Sequence, residues 1–172
     1  ITSSDHNTSE QYYFSVNETK PEPKLMQKRE KGIIYSINSW GGYFYMHTNK
    51  GAEDFKIDKT NDISFVKWNS YIPAKDETLI GGLTFLNNWI IRSEVTNALG
   101  KIFVKNLKNE KEEELIFSDE KVFDGGVSLV QKDKNTDLVH ISYSTPKTQS
   151  RIYLYNLKSK KKKLVKEQII PS

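Results

Sequence analysis

The chain has 172 residues, of which 36% are hydrophobic, 12% aromatic and 28% charged, and its 26 basic and 22 acidic side chains give a formal charge of +4. This length suits one ordinary domain, and the aromatic content argues against disorder because large side chains supply the burial that offsets backbone ordering. The chain has no cysteine, which excludes disulfide scaffolds, thiol nucleophiles and cysteine-based zinc sites.

Short runs in which apolar and polar residues alternate recur from one end of the chain to the other, separated by Asn, Asp, Gly and Lys. This alternation is the signature of β-strands. No window of about 12 residues holds a helical period, and no run approaches the roughly 18 apolar residues of a membrane span. The sequence therefore predicts an all-β protein without a membrane segment.

A repeat organises these runs. The two most similar copies are KIFVKNLKNEKEEELIF (Lys101–Phe117) and RIYLYNLKSKKKKLVK (Arg151–Lys166). Both contain Asn-Leu-Lys, at positions 50 residues apart. Weaker copies are EDFKIDKTNDISFV (Glu53–Val66) and QYYFSVNETKPEPKLM (Gln11–Met26). Each copy is expected to form a strand, a turn and a second strand, and the period is about 42 to 50 residues.

Each of the three later hairpins follows another hairpin, and the upstream hairpins run from Gly32, Gly81 and Gly125. Each glycine is expected to open the first strand of a unit. Four antiparallel strands repeating every 40 to 50 residues are typical of a β-propeller blade. The sequence thus predicts a partial β-propeller of about three and a half four-stranded blades. The predicted units are a partial one at about 1–30, with strands near 11–16 and 24–28, and complete ones at about 31–72, 77–120 and 124–169.

Three and a half blades are too few to close a ring, since propellers have at least about four. The first residues, ITSSDHNTSEQ, are polar and contain neither an initiator Met nor a signal-peptide core. We therefore expect the chain to be an open arc cut from a longer propeller.

A lysine-rich stretch near the C-terminus allows two interpretations: a solvated turn at the rim of a blade, or a site for a polyanion. The equivalent stretch one unit earlier carries Glu110, Lys111, Glu112, Glu113 and Glu114. A position that accepts either sign favours the solvated turn, and no aromatic side chains interleave to stack on bases. We expect no nucleic-acid partner. The lysines are Lys158, Lys160, Lys161, Lys162, Lys163 and Lys166.

No residue is nominated as catalytic, cofactor-binding or metal-binding. His6, His47 and His140 are scattered and form no metal-binding motif. Ser128 follows a Gly-Gly pair but lacks the second glycine of a nucleophile elbow. The glycine pairs lack the helix and the Lys-Ser or Lys-Thr step of a phosphate-binding loop, so we expect turns and strand starts at Gly41–Gly42, Gly81–Gly82 and Gly125–Gly126.

Several aromatic residues could line a binding surface or fill the gap between stacked blades. Large flat side chains commonly fill the space between packed sheets, so we expect the second role. The residues concerned are Trp40, Trp68, Trp89, Tyr43 and Tyr45.

Nearly the whole chain resembles the propeller of the oligopeptidase B (protease II) group, which belongs to the prolyl oligopeptidase family of serine peptidases. The resemblance consists of many residues that match in the same order. The segment YSINSWGGYFYMHTNKGAEDFKI is similar to one of that propeller's blades through Trp40, Gly41, Phe44, Tyr45, Thr48, Asn49, Lys50, Ala52 and Phe55. The segment WNSYIPAKDETLIGG matches the family at Trp68, Ile72 and Pro73. The segment ISYSTPKTQSRIYLYNL matches it at Tyr143, Ser144, Thr145 and Pro146. KEQIIPS at the C-terminus resembles the segment before the chain returns to the catalytic domain.

The resemblance implies a function from the part of the family's architecture that this chain matches. In that family a seven-bladed propeller covers an α/β-hydrolase domain that supplies the catalytic triad and selects Lys or Arg before the cleaved bond. This chain resembles only the later blades, so the family's catalytic residues have no counterparts here. The implied role is a non-catalytic lid in a cytoplasmic peptidase of short basic peptides, partnered by the hydrolase domain and requiring no cofactor.

A different class of function remains open. The chain could be a stand-alone propeller-type interaction module without peptidase activity. In either case the open blade edges are expected to favour self-association, because unpaired strand edges template pairing with another chain.

Overall fold

The structure, a computed structural model, describes residues 1–115, 124–130, 133–145, 147 and 149–168. The end of the predicted third unit at 116–120, the end of the fourth at 169, the last four residues of KEQIIPS and the family match at Pro146 lie outside these residues. Within the described part, the structure has fifteen strands. They are β1 (Thr2–Ser4), β2 (Ser9–Tyr13), β3 (Lys24–Gln27), β4 (Tyr35–Trp40), β5 (Tyr43–Thr48), β6 (Lys56–Thr60), β7 (Asn69–Ile72), β8 (Thr78–Leu86), β9 (Trp89–Thr96), β10 (Leu99–Asn106), β11 (Glu112–Glu114), β12 (Asp124–Leu129), β13 (Leu138–Ser144), β14 (Arg151–Asn156) and β15 (Lys162–Glu167).

The strands form four antiparallel sheets, each a meander in chain order. The first sheet is β1-β2-β3, the second β4-β5-β6-β7, the third β8-β9-β10-β11 and the fourth β12-β13-β14-β15. The predicted all-β class and partial β-propeller are confirmed. The chain divides into two compact units, residues 1–76 with the first two sheets and residues 77–172 with the last two.

The first sheet differs from the prediction. It has a third strand, β1, which the sequence did not indicate because Thr2, Ser3 and Ser4 are all polar and exposed. The strand expected at 11–16 lies instead at β2 and ends at Tyr13. A turn closed by the Glu18 N–H donating to the Ser15 carbonyl follows, and Val16 is 88% exposed. Phe14, the residue after β2, is 41% exposed, so the last apolar residues of this run do not pack.

The second strand predicted within Glu53–Val66 is wrong. Ile63–Val66 lies in a loop, and the fourth strand of the second sheet is β7, further along the chain. Two features prevent a strand. Phe65 has a φ of 56°, in the left-handed region, and the carboxylate of Asp62 accepts hydrogen bonds from the N–H and hydroxyl of Ser64. An Asx turn of this kind competes with strand pairing.

The glycine pair of the third sheet does not open its strand. Gly81 and Gly82 lie inside β8, where the register with β9 shifts between Ile80 and Leu83. A Cβ atom on Gly81 would lie 2.2 Å from Ser93 Oγ and 2.9 Å from the Ser93 carbonyl oxygen. Glycine is therefore required by the close approach of β9 at this bulge.

In the first unit, side chains of β2 hydrogen-bond to the backbone of β4. The Tyr35 N–H donates to Ser9 Oγ at 2.7 Å, and the Ile37 N–H donates to Gln11 Oε1 at 2.5 Å. The Gln11 N–H in turn donates to the hydroxyl of Tyr35 at 2.9 Å. Ser9 and Tyr35 are buried, whereas Gln11 and Ile37 are half-buried. These bonds join the first and second sheets.

In the second unit, one apolar cluster fills the space between the third and fourth sheets. Both inward faces contribute alternate residues, as expected when each strand buries one side. Val139 and Ile141 are fully buried. The cluster comprises Leu86, Trp89, Ile91, Ile102, Val104, Leu115, Val139, Ile141, Tyr143, Tyr155 and Leu157.

Candidate functional site

The repeated Asn-Leu-Lys segments fold into the same turn in the third and fourth sheets. The Asn106 N–H donates to the Lys111 carbonyl at 2.9 Å, and the Asn156 N–H donates to the Lys161 carbonyl at the same distance. Each Asn side chain also accepts the N–H of the residue two positions on. The sequence repeat is thus a structural repeat, because the Asn side chain closes each turn locally.

Contacts between loops link the rims of these two sheets, and one of them is a backbone bond from the Asn87 N–H to the Lys134 carbonyl at 2.8 Å. The Trp89 Nε1–H donates to Asp137 Oδ1 at 2.7 Å. The Asn87 side chain donates to Asn135 Oδ1 at 2.9 Å. Lys160 Nζ lies 2.8 Å from the carboxylate of Glu113. The loops of the third sheet therefore bond to the loops of the fourth at this end of the strands.

An open cleft of about 350 Å³ lies between the two repeated turns. Its floor is apolar, formed by Trp89, Val104 and Leu157, which are all buried in the core cluster. Its rim is polar and mostly charged. An apolar floor with a charged rim suits a ligand that carries an apolar group and a complementary charge. The rim residues are Asn106, Asn109, Lys111, Glu112, Glu113, Lys158 and Lys160.

The glutamates of the third sheet's last hairpin are all in ion pairs. Glu112 accepts two hydrogen bonds from the Arg92 guanidinium, at 2.8 and 3.1 Å. The other three pair with a lysine each. The pairs are Glu110 with Lys105 at 2.7 Å, Glu113 with Lys160 at 2.8 Å and Glu114 with Lys101 at 4.0 Å.

The lysines of the fourth sheet's last hairpin are not balanced in this way. Lys160 pairs with Glu113, whose hydrogen bond and charge raise the pKa of the Lys160 ammonium. Lys162 lies 5.6 Å from the ring centroid of Tyr153. Within the part of the chain that the structure describes, four others have no carboxylate partner: Lys158, Lys161, Lys163 and Lys166. The last hairpin of the fourth sheet therefore carries uncompensated positive charge.

Arg92 centres a buried ionic cluster in the third sheet. Its Nε–H donates to Glu94 Oε1 at 2.8 Å, and the two side chains are 4% and 3% exposed. The guanidinium carbon also lies 4.6 Å from the ring centroid of Phe103. Burial alone lowers the pKa of Arg92, but the hydrogen bonds and charges of Glu112 and Glu94 outweigh it and raise the pKa. The cation is held charged and fixed, which is the arrangement of a structural ion pair.

The structure does not bring the three histidines together. His6 is exposed, and His47 in β5 stacks on Phe55 with ring centroids 4.6 Å apart. His140 in β13 lies opposite Ser128 and Leu154. Among the described residues, no group of three or more His, Asp or Glu side chains could hold a metal ion. Nor does this part of the chain contain a helix long and apolar enough to cross a membrane.

The aromatic residues serve mostly as packing. Trp89 lies in the core between the third and fourth sheets, as predicted. Trp68 stacks on Phe65 at 6.1 Å, and Phe65 also meets Tyr13 of the first sheet edge-on at 5.2 Å. Tyr43 is the exception, since it is 39% exposed and its ring lies 3.8 Å from Lys59 Nζ.

Sequence reasoning missed the rim between the third and fourth sheets as a unit. It compared the signs of the two hairpins but not their partners, so the Glu113–Lys160 contact was not foreseen. The 50-residue repeat indicated only that the two turns lie side by side, because equivalent turns of successive blades are neighbours.

The sequence pattern of the prolyl oligopeptidase N-terminal β-propeller domain matches residues 1–168. The chain belongs to this family. Dipeptidyl aminopeptidase BI of Pseudoxanthomonas mexicana is 25% identical over 150 residues, which cover 86% of this chain and 20% of that protein.

Solved structures of the family have the same fold. Oligopeptidase B from Trypanosoma brucei, in a closed form with covalently bound antipain, matches with a TM-score of 0.86 and 23% identity. The match covers 98% of this chain and 25% of that one. Oligopeptidase B from Leishmania major matches with a TM-score of 0.78 and 14% identity over 94% of this chain and 24% of that one. The chain thus spans about a quarter or less of the relatives it matches.

Proposed function

We propose that the chain is the non-catalytic, substrate-gating propeller portion of an oligopeptidase B-like serine peptidase that cleaves short peptides after Lys or Arg. The observation that carries this proposal is the family match over residues 1–168, together with four successive propeller-type sheets. In this proposal its partner is an α/β-hydrolase catalytic domain of the same protein, and the protein works in the cytoplasm.

Gating by a propeller works through size. Stacked blades surround a narrow passage, so an extended peptide can reach an enclosed catalytic centre while a folded protein cannot. The blades must hold their positions for this to succeed. The hydrogen bonds of Ser9 and Gln11 to β4, and the core between the third and fourth sheets, support such rigidity.

The non-catalytic role is tested by assaying the purified chain on a fluorogenic Arg-Arg amide. We expect no turnover. Turnover that survives repurification and resists a serine-reactive inhibitor would contradict the proposal, because an activity intrinsic to the chain would then exist without the family's serine chemistry.

The gating role is tested on the protein encoded by the complete reading frame. We expect that frame to encode an α/β-hydrolase segment, and its product to cleave a short Arg-containing peptide but not a folded, Arg-rich protein. A product that cleaves both equally well contradicts gating. A product that cleaves short peptides only after residues other than Lys or Arg contradicts the proposed specificity.

A further inference from the structure

The unpaired lysines adjoin an open strand edge. β15 is the last strand of the fourth sheet, and all six of its residues are exposed. Leu164 is 43% and Val165 is 54% exposed, although both are large and apolar. The outward backbone groups of an edge strand are free to pair with another strand. This edge therefore offers hydrogen-bonding backbone, apolar side chains and positive charge together.

The last strands of the other three sheets differ from β15 in length and charge. β11 has three residues, all glutamates in ion pairs, while β3 and β7 have four residues each. β15 pairs regularly with β14 over Lys162–Leu164, before its register shifts opposite Ile152 and Tyr153. The regular stretch begins directly after the turn that lines the cleft.

We propose that β15 and the turn before it form a docking edge for an extended acidic segment of a protein. The segment adds to Lys162–Leu164 as a fifth strand of the fourth sheet, and its carboxylates neutralise the unpaired lysines. Strand addition supplies affinity through backbone hydrogen bonds, and the side chains of the added strand supply specificity. This proposal is independent of the proposed peptidase role.

The charge of the edge selects this occupant over a second copy of the chain. Each β15 carries three lysines and one glutamate, so pairing two copies would oppose like charges, which is unfavourable in a sheet. Lysines on an edge commonly prevent such self-pairing. An acidic strand meets the opposite condition, because the same lysines then attract it.

The cleft favours a protein segment over a nucleic acid. Its floor of Trp89, Val104 and Leu157 is apolar and accepts a side chain from the end of an added strand. Nucleic-acid sites of comparable charge use exposed aromatic platforms for base stacking. On β15 the exposed apolar residues are aliphatic, Leu164 and Val165, so the surface lacks that platform.

The test uses the whole 172-residue chain and a fluorescein-labelled peptide of alternating glutamate and valine. We expect saturable binding by fluorescence anisotropy that weakens with added salt. The triple variant Lys161→Glu, Lys163→Glu, Lys166→Glu is expected to weaken binding by about tenfold or more, since several charge contacts become repulsive. The matched control, Lys20→Glu, Lys28→Glu, Lys31→Glu, changes three exposed lysines of the first unit and is expected to bind as the unchanged chain does.

Strand addition has its own signature. The same peptide with a central proline is expected not to bind, because proline removes a backbone donor. Hydrogen exchange is expected to slow within Lys162–Leu164 when the alternating peptide binds. Circular dichroism of the triple variant confirms that it retains the β-sheet spectrum before its binding is interpreted.

Four results of the binding experiments would overturn the proposal. They are no binding at about 1 mM peptide, equal binding by the triple variant, equal binding of the proline peptide, and competition by a single-stranded oligonucleotide that leaves exchange in β15 unchanged. The last result would indicate a general polyanion surface. Dimerisation of the chain that is abolished by the triple variant would also overturn it, because a second copy would then be the occupant.

Discussion

The indole Nε1–H of Trp89 donates a 2.7 Å hydrogen bond to the carboxylate of Asp137, and the two residues belong to different sheets. Trp89 starts β9 in the third sheet, whereas Asp137 precedes β13 in the fourth. The indole is 8% exposed and packs in the core between them. One side chain therefore fills the gap between two sheets and bonds across it.

Replacing Trp89 with Phe is expected to keep most of the packing but remove this bond. Hydrogen bonds to charged groups contribute about 1.5 to 3 kcal/mol, and Asp137 is only half-buried, so we expect a loss near the lower end. Urea denaturation measures it. In a double-mutant cycle with Asp137→Ala, which removes the acceptor, additive effects of the two changes would show that the bond contributes nothing.

The bulge in β8 provides a matched pair of glycine variants. Gly81→Ala would place a methyl group 2.2 Å from Ser93 Oγ, whereas a Cβ on Gly82 would meet nothing within 4 Å. Overpacking of this kind costs about 1 to 3 kcal/mol. We expect Gly81→Ala to lower the unfolding free energy by that amount and Gly82→Ala to leave it nearly unchanged. Equal thermal stability of the two variants would mean that the close approach of β9 is not what requires glycine.

The turn between β9 and β10 contains backbone strain that a substitution can relieve. Asn97 and Ala98 form its two-residue turn with φ values of 52° and 60°, which identify a type I′ turn. Alanine is destabilised by about 1 kcal/mol in the left-handed region of backbone conformation, whereas glycine is not. Ala98→Gly is therefore expected to raise the unfolding free energy by about 1 kcal/mol, as measured by chemical denaturation. Ala74→Gly, at an exposed position without a positive φ, serves as control and is expected to destabilise slightly.

Asp62 makes the stability of the loop between β6 and β7 depend on pH. The hydrogen bonds from the Ser64 hydroxyl and N–H hold the pKa of Asp62 below its ordinary value of 3.8. A lowered folded-state pKa contributes stability that is present above the ordinary value and lost as pH falls through the folded-state pKa. Asp62→Asn is expected to be less stable than the unchanged chain at pH 7.

The difference in denaturation midpoint between Asp62→Asn and the unchanged chain should vanish in acid, below the folded-state pKa. Ser64→Ala removes the largest cause of the lowered pKa, so it should reduce the pH dependence without abolishing it. A difference that is constant from pH 7 to pH 2 would exclude Asp62 as the titrating group.

The repeat made most of the fold predictable. Alternating residues such as Ile102 and Val104 indicated the strands, and the recurrence of Asn106 at Asn156 indicated the blade. β1 was not predictable because its residues, Thr2 to Ser4, are polar and exposed. The loop at Ile63–Val66 was misread because its pattern is strand-like while the backbone of Phe65 is left-handed. Local pattern carries no information on φ at a single residue.

The candidate site was predictable only in part. The lysines were found from sequence, yet their significance depends on which carboxylates reach them. Glu113 contacts Lys160, which lies 47 positions further along the chain. Glu112 forms an ion pair with Arg92. These pairings follow from the stacking of the third and fourth sheets. Sequence repeats suggest that such stacking exists but do not specify side-chain partners.

The hydrogen bonds that Ser9 and Gln11 receive from the backbone of β4 affect how the first unit can open. Detaching the first sheet would exchange the bonds of the Tyr35 and Ile37 amides for bonds to water, and each intramolecular hydrogen bond lost in this way costs about 0.5 to 1.5 kcal/mol. The inner edge of the second sheet is thus completed by side chains of the first. The two sheets are therefore expected to unfold as one cooperative unit and to lose protection against hydrogen exchange together.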